Sequence, residues 1–188
     1  MAIPYPAPPL VGETFVLRPF CASDFDHAAA LGADADEAQW VEELPAPNGA
    51  AMERLCETDR EDGVMIHLVI AGSGDDRYLG EVSLVIFEDS VGEIGCAVVP
   101  GVRGRGIGTA VLSLVSDWAF DALSLRRLQA FIDPRNLASI RFAEKAGYRR
   151  ECLLSFCWEI GGEEMDAVLF ARLKDDDAEA RMPVPHRI

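Results

Sequence analysis

The run Val98-Val99-Pro100-Gly101-Val102-Arg103-Gly104-Arg105-Gly106-Ile107-Gly108-Thr109 joins an apolar, strand-like stretch directly to a helix-like one. Without Cβ atoms such a loop turns sharply and brings its N–H groups close to a ligand. The helix that follows adds unpaired N–H groups and a partial positive charge. A site of that kind binds pyrophosphate. Arg103 and Arg105 add local positive charge to a chain whose formal charge is −15. The plainer reading is a glycine-rich β-to-α turn with incidental arginines.

Two phosphate loops are excluded by spacing. A Walker loop needs Lys-Ser or Lys-Thr after its last glycine, and Gly106 is followed by Ile107 and Gly108. A G-x-G-x-x-G fingerprint started at Gly104 meets Thr109 in sixth place, and one started at Gly106 meets Val111.

A third pattern fits. Arg103-x-x-Gly106-x-Gly108 resembles the pyrophosphate loop of the GNAT N-acetyltransferase superfamily, Gln/Arg-x-x-Gly-x-Gly/Ala. Upstream, Gly92-Glu93-Ile94-Gly95-Cys96-Ala97-Val98-Val99-Pro100 is similar to the family's fourth strand. Downstream, Asn136-x-x-Ser139 followed by Glu144-Lys145-Ala146-Gly147-Tyr148 is similar to its last helix. Leu17-Arg18-Pro19, Asn136-x-x-Ser139 and the late Asp166 resemble the branch that contains the ribosomal-protein N-terminal (alanine) acetyltransferases.

This resemblance implies an enzyme that moves the acetyl group of acetyl-CoA directly to a primary amine in a ternary complex, with no metal. It implies that backbone N–H groups of Arg103, Gly104, Arg105, Gly106, Ile107, Gly108 and Thr109 hold the coenzyme diphosphate, and that the backbone of Val98 and Val99 bonds the pantetheine arm. Asn136 reaches the coenzyme, caps the last helix, or does both. Amine acetylation needs a base, an oxyanion donor and an acid. Glu93 is the preferred base, acting through water, against the alternative of a solvated strand residue facing away; Glu81 is the reserve.

Many family members place a tyrosine acid seven residues after the asparagine, and Ala143 stands there. Phe142 has no proton to donate, so the role passes to Ser139, also a coenzyme-contact residue, or to solvent. Tyr148 and His67 read as core residues. Trp40, with the loop to Pro47, reads as a wall of the acceptor pocket or as a packing anchor. The departure at Ala143 keeps a second reading open, an acyl-CoA-binding sensor module with little or no turnover, and the third is a nucleotide-binding domain.

The elements that must position these residues follow from periodicity. Thr14–Phe20 alternates like a strand, Ser23–Asp26 resembles a capping box for a helix ending near Gly32, and Asn48 caps a helix carrying Met52, Leu55 and Cys56 that frays at Asp59–Asp62. Val64–Ala71, Tyr78–Phe87 and Glu93–Val99 predict an antiparallel meander. A helix through Ile107, Val111, Leu114, Val115 and Trp118 leads to a strand over Leu128–Ile132, a βαβ unit. A helix over Leu137–Ala146 stops at Gly147, and Tyr148–Ile160 and Glu163–Leu173 flank Gly161-Gly162 as a hairpin. The expectation is an α/β (α+β) GNAT fold with a mixed, mostly antiparallel seven-stranded sheet and about four helices. A lead over 1–12, one domain over 13–174 and an exposed tail over 175–188 complete it.

At 188 residues and 49% hydrophobic content the chain has material for one real core. Its charge excludes nucleic acid as a direct partner and suits a cationic small molecule or a basic peptide N-terminus; a negative surface that only maintains solubility is the bland alternative. No apolar run reaches the length of a membrane span and no leader pattern opens the chain, so a cytoplasmic protein is expected. Cys21, Cys56, Cys96, Cys152 and Cys157 contain no C-x-x-C pair and read as reduced, mostly buried thiols. The acceptor pocket, built from loops near 33–50 and the final hairpin, carries no specific motif, and a homodimer stays open.

Overall fold

The computed structural model describes residues 1–34, 38, 40, 47–160 and 163–175. The chain order is β1 (Phe15–Pro19), α1 (Phe25–Gly32), α2 (Gly49–Asp62), β2 (Met65–Gly72), β3 (Tyr78–Phe87), β4 (Val91–Val98), α3 (Ile107–Ala122), β5 (Arg127–Ile132), α4 (Leu137–Lys145), β6 (Arg149–Ile160) and β7 (Glu163–Leu173). The strands form one sheet in the order β1-β2-β3-β4-β5-β7-β6. Every pairing is antiparallel except β4 with β5, which the crossover helix α3 joins in parallel.

Alternation along the strands sends side chains to two faces. Ile66, Leu68 and Ile70 of β2, Val82 and Leu84 of β3, Ile94 of β4 and Leu128 of β5 join Val111, Leu112 and Val115 of α3 in the larger core. Val69 and Ala71 point the other way and meet Ala28 and Leu31 of α1 and Met52 and Cys56 of α2. The strand β4 therefore has a helix layer on each side, and both sides are used by the site.

Three local expectations are corrected. The N-terminal cap starts at Cys21, whose N–H donates to the Asp24 carboxylate at 2.9 Å, because a 3-10 turn over Ala22–Asp24 precedes α1. Asn48 does cap α2, accepting from the Ala51 N–H at 3.0 Å. The helix then continues through Asp59–Asp62 to a left-handed Gly63 at φ 79°, with Glu57 and Arg60 paired on its surface. The five cysteines are free thiols, and only Cys56 is buried; Cys152 and Cys157 are exposed because β6 is the edge of the sheet. The predicted turn at Gly161-Gly162 and the tail beyond Asp175 lie outside the described residues.

Candidate active site

The site begins where the sheet opens. β4 pairs with β5 only through Val91↔Arg127, Gly92↔Leu128 and Glu93↔Gln129. Beyond Glu93, β4 stays registered to β3 as far as Val98, while β5 follows β7 along its whole length to Ile132. The twist of the sheet then carries the two strands apart. Gly80 holds the free end of β4 to β3: its φ is 148°, and a Cβ there would stand 2.2 Å from the Ala97 carbonyl oxygen.

In an antiparallel ladder alternate residues direct their polar backbone groups to opposite sides. The Val99 N–H donates to the Leu79 oxygen of β3 at 2.9 Å, and the Val99 oxygen accepts from Val102. Val99 is thus spent on the fold, which corrects its assignment to the pantetheine arm. Counting back, Ile94, Cys96 and Val98 direct their backbone into the opening. Cys96, Ala97 and Val98 line a cleft of about 560 Å³, and Val99 does not.

The loop after β4 closes one end of this cleft. Gly104 and Gly106 have φ of 75° and 83°, and Gly106 is the cap residue of α3 with no side-chain cap. A Cβ at Gly106 would meet nothing within 4 Å, so its backbone conformation, not lack of space, calls for glycine. The first intrahelical bond is Ala110 N–H to Gly106 oxygen, so the preceding N–H groups of Ile107, Gly108 and Thr109 have no helical acceptor.

Arg103 and Arg105 behave differently from the expectation of ligand-facing charges. Arg103 Nε donates to the Val98 oxygen at 2.9 Å and Nη2 to Asp34 at 3.1 Å, while Arg105 Nη2 donates to the Gly101 oxygen at 3.1 Å. Both guanidiniums brace the loop, and Arg105 does not line the cleft. Its positive charge comes from Arg103, Arg135, Arg141 and Lys145, the last three not singled out as site residues by the sequence. Arg135 lies over the Trp40 ring at 5.6 Å and pairs with the buried Asp133 at 2.9 Å, which puts Trp40 on the wall of this cleft.

The opposite wall is α4. Asn136 Oδ1 accepts from the Ser139 N–H at 3.0 Å, so the asparagine caps the helix, and both residues line the cleft. Phe142 faces the cleft and approaches Gly108, whereas Ala143 is fully buried. The helix phase therefore turns position 143 into the core, where an acid would have no access to a ligand. Tyr148 is buried too, its Oη bonded to Ser116 Oγ at 2.7 Å.

On the other face of β4, Glu93 stands at the last paired residue before the opening, bonded to the Gln129 side chain, and burial pushes its carboxyl up from the ordinary value. Glu81 of β3 lies on the same face opposite Ala97, accepts a hydrogen bond from Tyr78 Oη at 2.9 Å, and is pushed up by burial more deeply under α1 and α2. His67, in register with Ser83, is held below its ordinary pKa by burial, against the opposing pull of Asp59, and stays neutral at pH 7. Among the described residues no cluster of His, Cys, Asp and Glu is arranged to hold a metal, and no helix is long and apolar enough to cross a membrane.

The acetyltransferase (GNAT) domain model matches residues 14–149. The chain belongs to the GNAT acetyltransferase family. It is 32% identical over 185 residues to the protein named "Probable N-acetyltransferase YjcK" of Bacillus subtilis, covering 89% of this chain and 98% of that one. Among solved structures it is similar to Mycobacterium smegmatis RimJ in complex with CoA-disulfide, with a TM-score of 0.75, 23% identity and coverage of 88% of this chain and 85% of that one. It is likewise similar to a Vibrio cholerae spermidine N-acetyltransferase in complex with CoA and spermine, with a TM-score of 0.74, 18% identity and coverage of 86% and 96%. The GNAT chain is accordingly an N-acetyltransferase with acetyl-CoA as its cosubstrate. The cleft's donor set, a run of N–H groups at a helix start ringed by arginine and lysine, suits the coenzyme diphosphate.

Proposed function

We propose that this acetyltransferase acts on the primary amine of a small polycation or of a basic peptide N-terminus, with Glu93 as general base. The observation that carries this reading is the fork: Glu93 sits at the residue where β4 leaves β5, with the coenzyme cleft on one face of the strand and its carboxyl on the other. The acidic character of the chain and the carboxyls of Glu81 and Glu93 on the acceptor face favour a cation. Spermidine, for which one relative is named, and spermine, held in a similar solved structure, are of that class.

In this mechanism the N–H groups of Ile107, Gly108 and Thr109 receive the diphosphate, and the Cys96 backbone with the Val98 N–H meets the pantetheine arm as an added strand, the Val98 oxygen being held by Arg103. An ordered water carries the amine proton to the ionised Glu93. The neutral amine attacks the thioester carbon; the C–N bond forms, the C–S bond breaks, the nitrogen gives up its second proton to solvent, and the thiolate takes a proton. Ser139, which lines the cleft, donates that proton in this reading, and solvent supplies it in part.

A thiol-release assay over spermidine, spermine and basic peptides with free N-termini tests the reading. Release that requires one of these amines is the expected result. Coenzyme binding without release for any amine would convert the chain into an acyl-CoA sensor and sink the proposal.

A further inference from the structure

Behind the coenzyme cleft, around the C-terminal end of α4, lies a second cavity of about 470 Å³. Its lining carries Lys145, Arg149, Arg172 and Lys174 against the single carboxylate of Glu144. That local excess of cations stands in a chain of net charge −15.

Arg172 and Lys174 are held by neighbours outside the lining, and Arg149 also has an interaction of its own. Arg172 Nη2 donates to Asp117 at 2.7 Å, and its guanidinium carbon lies 5.6 Å from the Phe120 ring centre. Lys174 Nζ donates to the Phe120 oxygen at 2.6 Å and lies 3.5 Å from Asp121. Asp117 and Asp121 are largely exposed, so water screens the charge they return. Arg172 Nη1 is shut from solvent and has no hydrogen-bond partner. An anion in the cavity meets the charge of the Arg172 guanidinium and not that closed-off N–H.

The helix end does not oppose an anion strongly. The Phe142, Ala143 and Glu144 carbonyls accept from the N–H groups of Ala146, Tyr148 and Gly147, so the negative end of α4 is largely neutralised by its own cap.

We propose that this cavity is a second anion site that takes a phosphate group, distinct from the coenzyme diphosphate site. The distinctness rests on the reading of the first cleft; the anion site itself does not. The two cavities touch at Lys145, which lines both.

Titration of the full chain with inorganic phosphate, followed by amide ¹H–¹⁵N shifts, tests it. Shifts over 104–109 report the coenzyme loop, and shifts at Gly147, Tyr148 and Arg149 report the second cavity. The expected result is a saturable second set that weakens about tenfold or more in the Arg149→Gln/Lys174→Gln variant, with the loop set and coenzyme affinity within about a factor of two of the parent. The single variant Arg149→Gln serves if the double one fails to fold. AMP in place of phosphate separates the sources: tighter binding than phosphate assigns a nucleotide phosphate, equal or weaker binding a free ion. No second set, a second set indifferent to these variants, or coenzyme affinity lost along with it would each overturn the proposal. A parent chain that binds phosphate at the second set but no coenzyme would overturn the cleft reading alone.

Discussion

The two faces of β4 are built from different materials. On the α3 and α4 face the proposed binding groups are mainly backbone, N–H groups at a helix start, a strand edge left open by the departing β5 and glycines whose positive φ makes the turn, ringed by arginine and lysine. On the α1 and α2 face the proposed working groups are side chains, Glu93 with Glu81 in reserve, and burial shifts each one toward its neutral form. A backbone site holds a constant ligand and tolerates change in most side chains. A side-chain site sets acid–base chemistry and acceptor choice, and each residue in it is individually consequential.

The largest effect expected on the acceptor face is at Glu93. Its carboxyl, raised by burial, keeps its proton to higher pH than usual, so the base form appears as pH rises through that raised value and turnover rises with it. Glu93→Gln is expected to lower kcat by roughly 10²- to 10³-fold and to remove that limb of the pH profile, with coenzyme affinity unchanged. A pH profile that keeps its shape in the variant would move the base elsewhere, first to Glu81.

Ser139 sits on the backbone-built side and is expected to matter less. Its N–H is committed to Asn136, and in the proposed mechanism its hydroxyl serves only a leaving thiolate that solvent also protonates. Ser139→Ala should cost about tenfold to a hundredfold in kcat. A fall in coenzyme affinity with kcat intact would make it a binding residue, sharpening the division between the faces.

The smallest effect is on stability. Glu81 is buried, and its raised pKa means that the folded state prefers the protonated carboxyl. The stability it contributes is therefore full at pH below its ordinary value and is lost as pH rises through the folded one. Glu81→Gln should melt within a few degrees of the parent at acid pH, and the gap in Tm should shift in the variant's favour as pH rises toward neutral. A gap that does not move with pH would mean that Glu81 is ionised in place.

The same contrast explains what was legible in the sequence. The loop was readable because glycine at fixed spacing encodes φ, and the observed positive φ falls at Gly104 and Gly106. The meander and crossover were readable from period, within one or two residues at most ends. Val99 was misassigned because strand spacing does not say which alternate residues face the partner strand; the Leu79 bond decides it. Ala143, where many family members carry a tyrosine, is buried because one residue of helix phase separates core from cleft. Arg135, Arg141 and Lys145 were missed because their positions relative to the cleft depend on how α4 packs, which no local pattern encodes.

The central claim, that the glycine-capped start of α3 holds the coenzyme, is tested most directly by calorimetric titration of acetyl-CoA into the parent and into Gly106→Val. Valine at φ 83° is strained even with open space around it, so the cap must rearrange and its N–H groups lose their aim. The account predicts micromolar binding by the parent and a loss of about tenfold or more in a variant whose circular dichroism is unchanged. Equal affinity in the two folded proteins would contradict it.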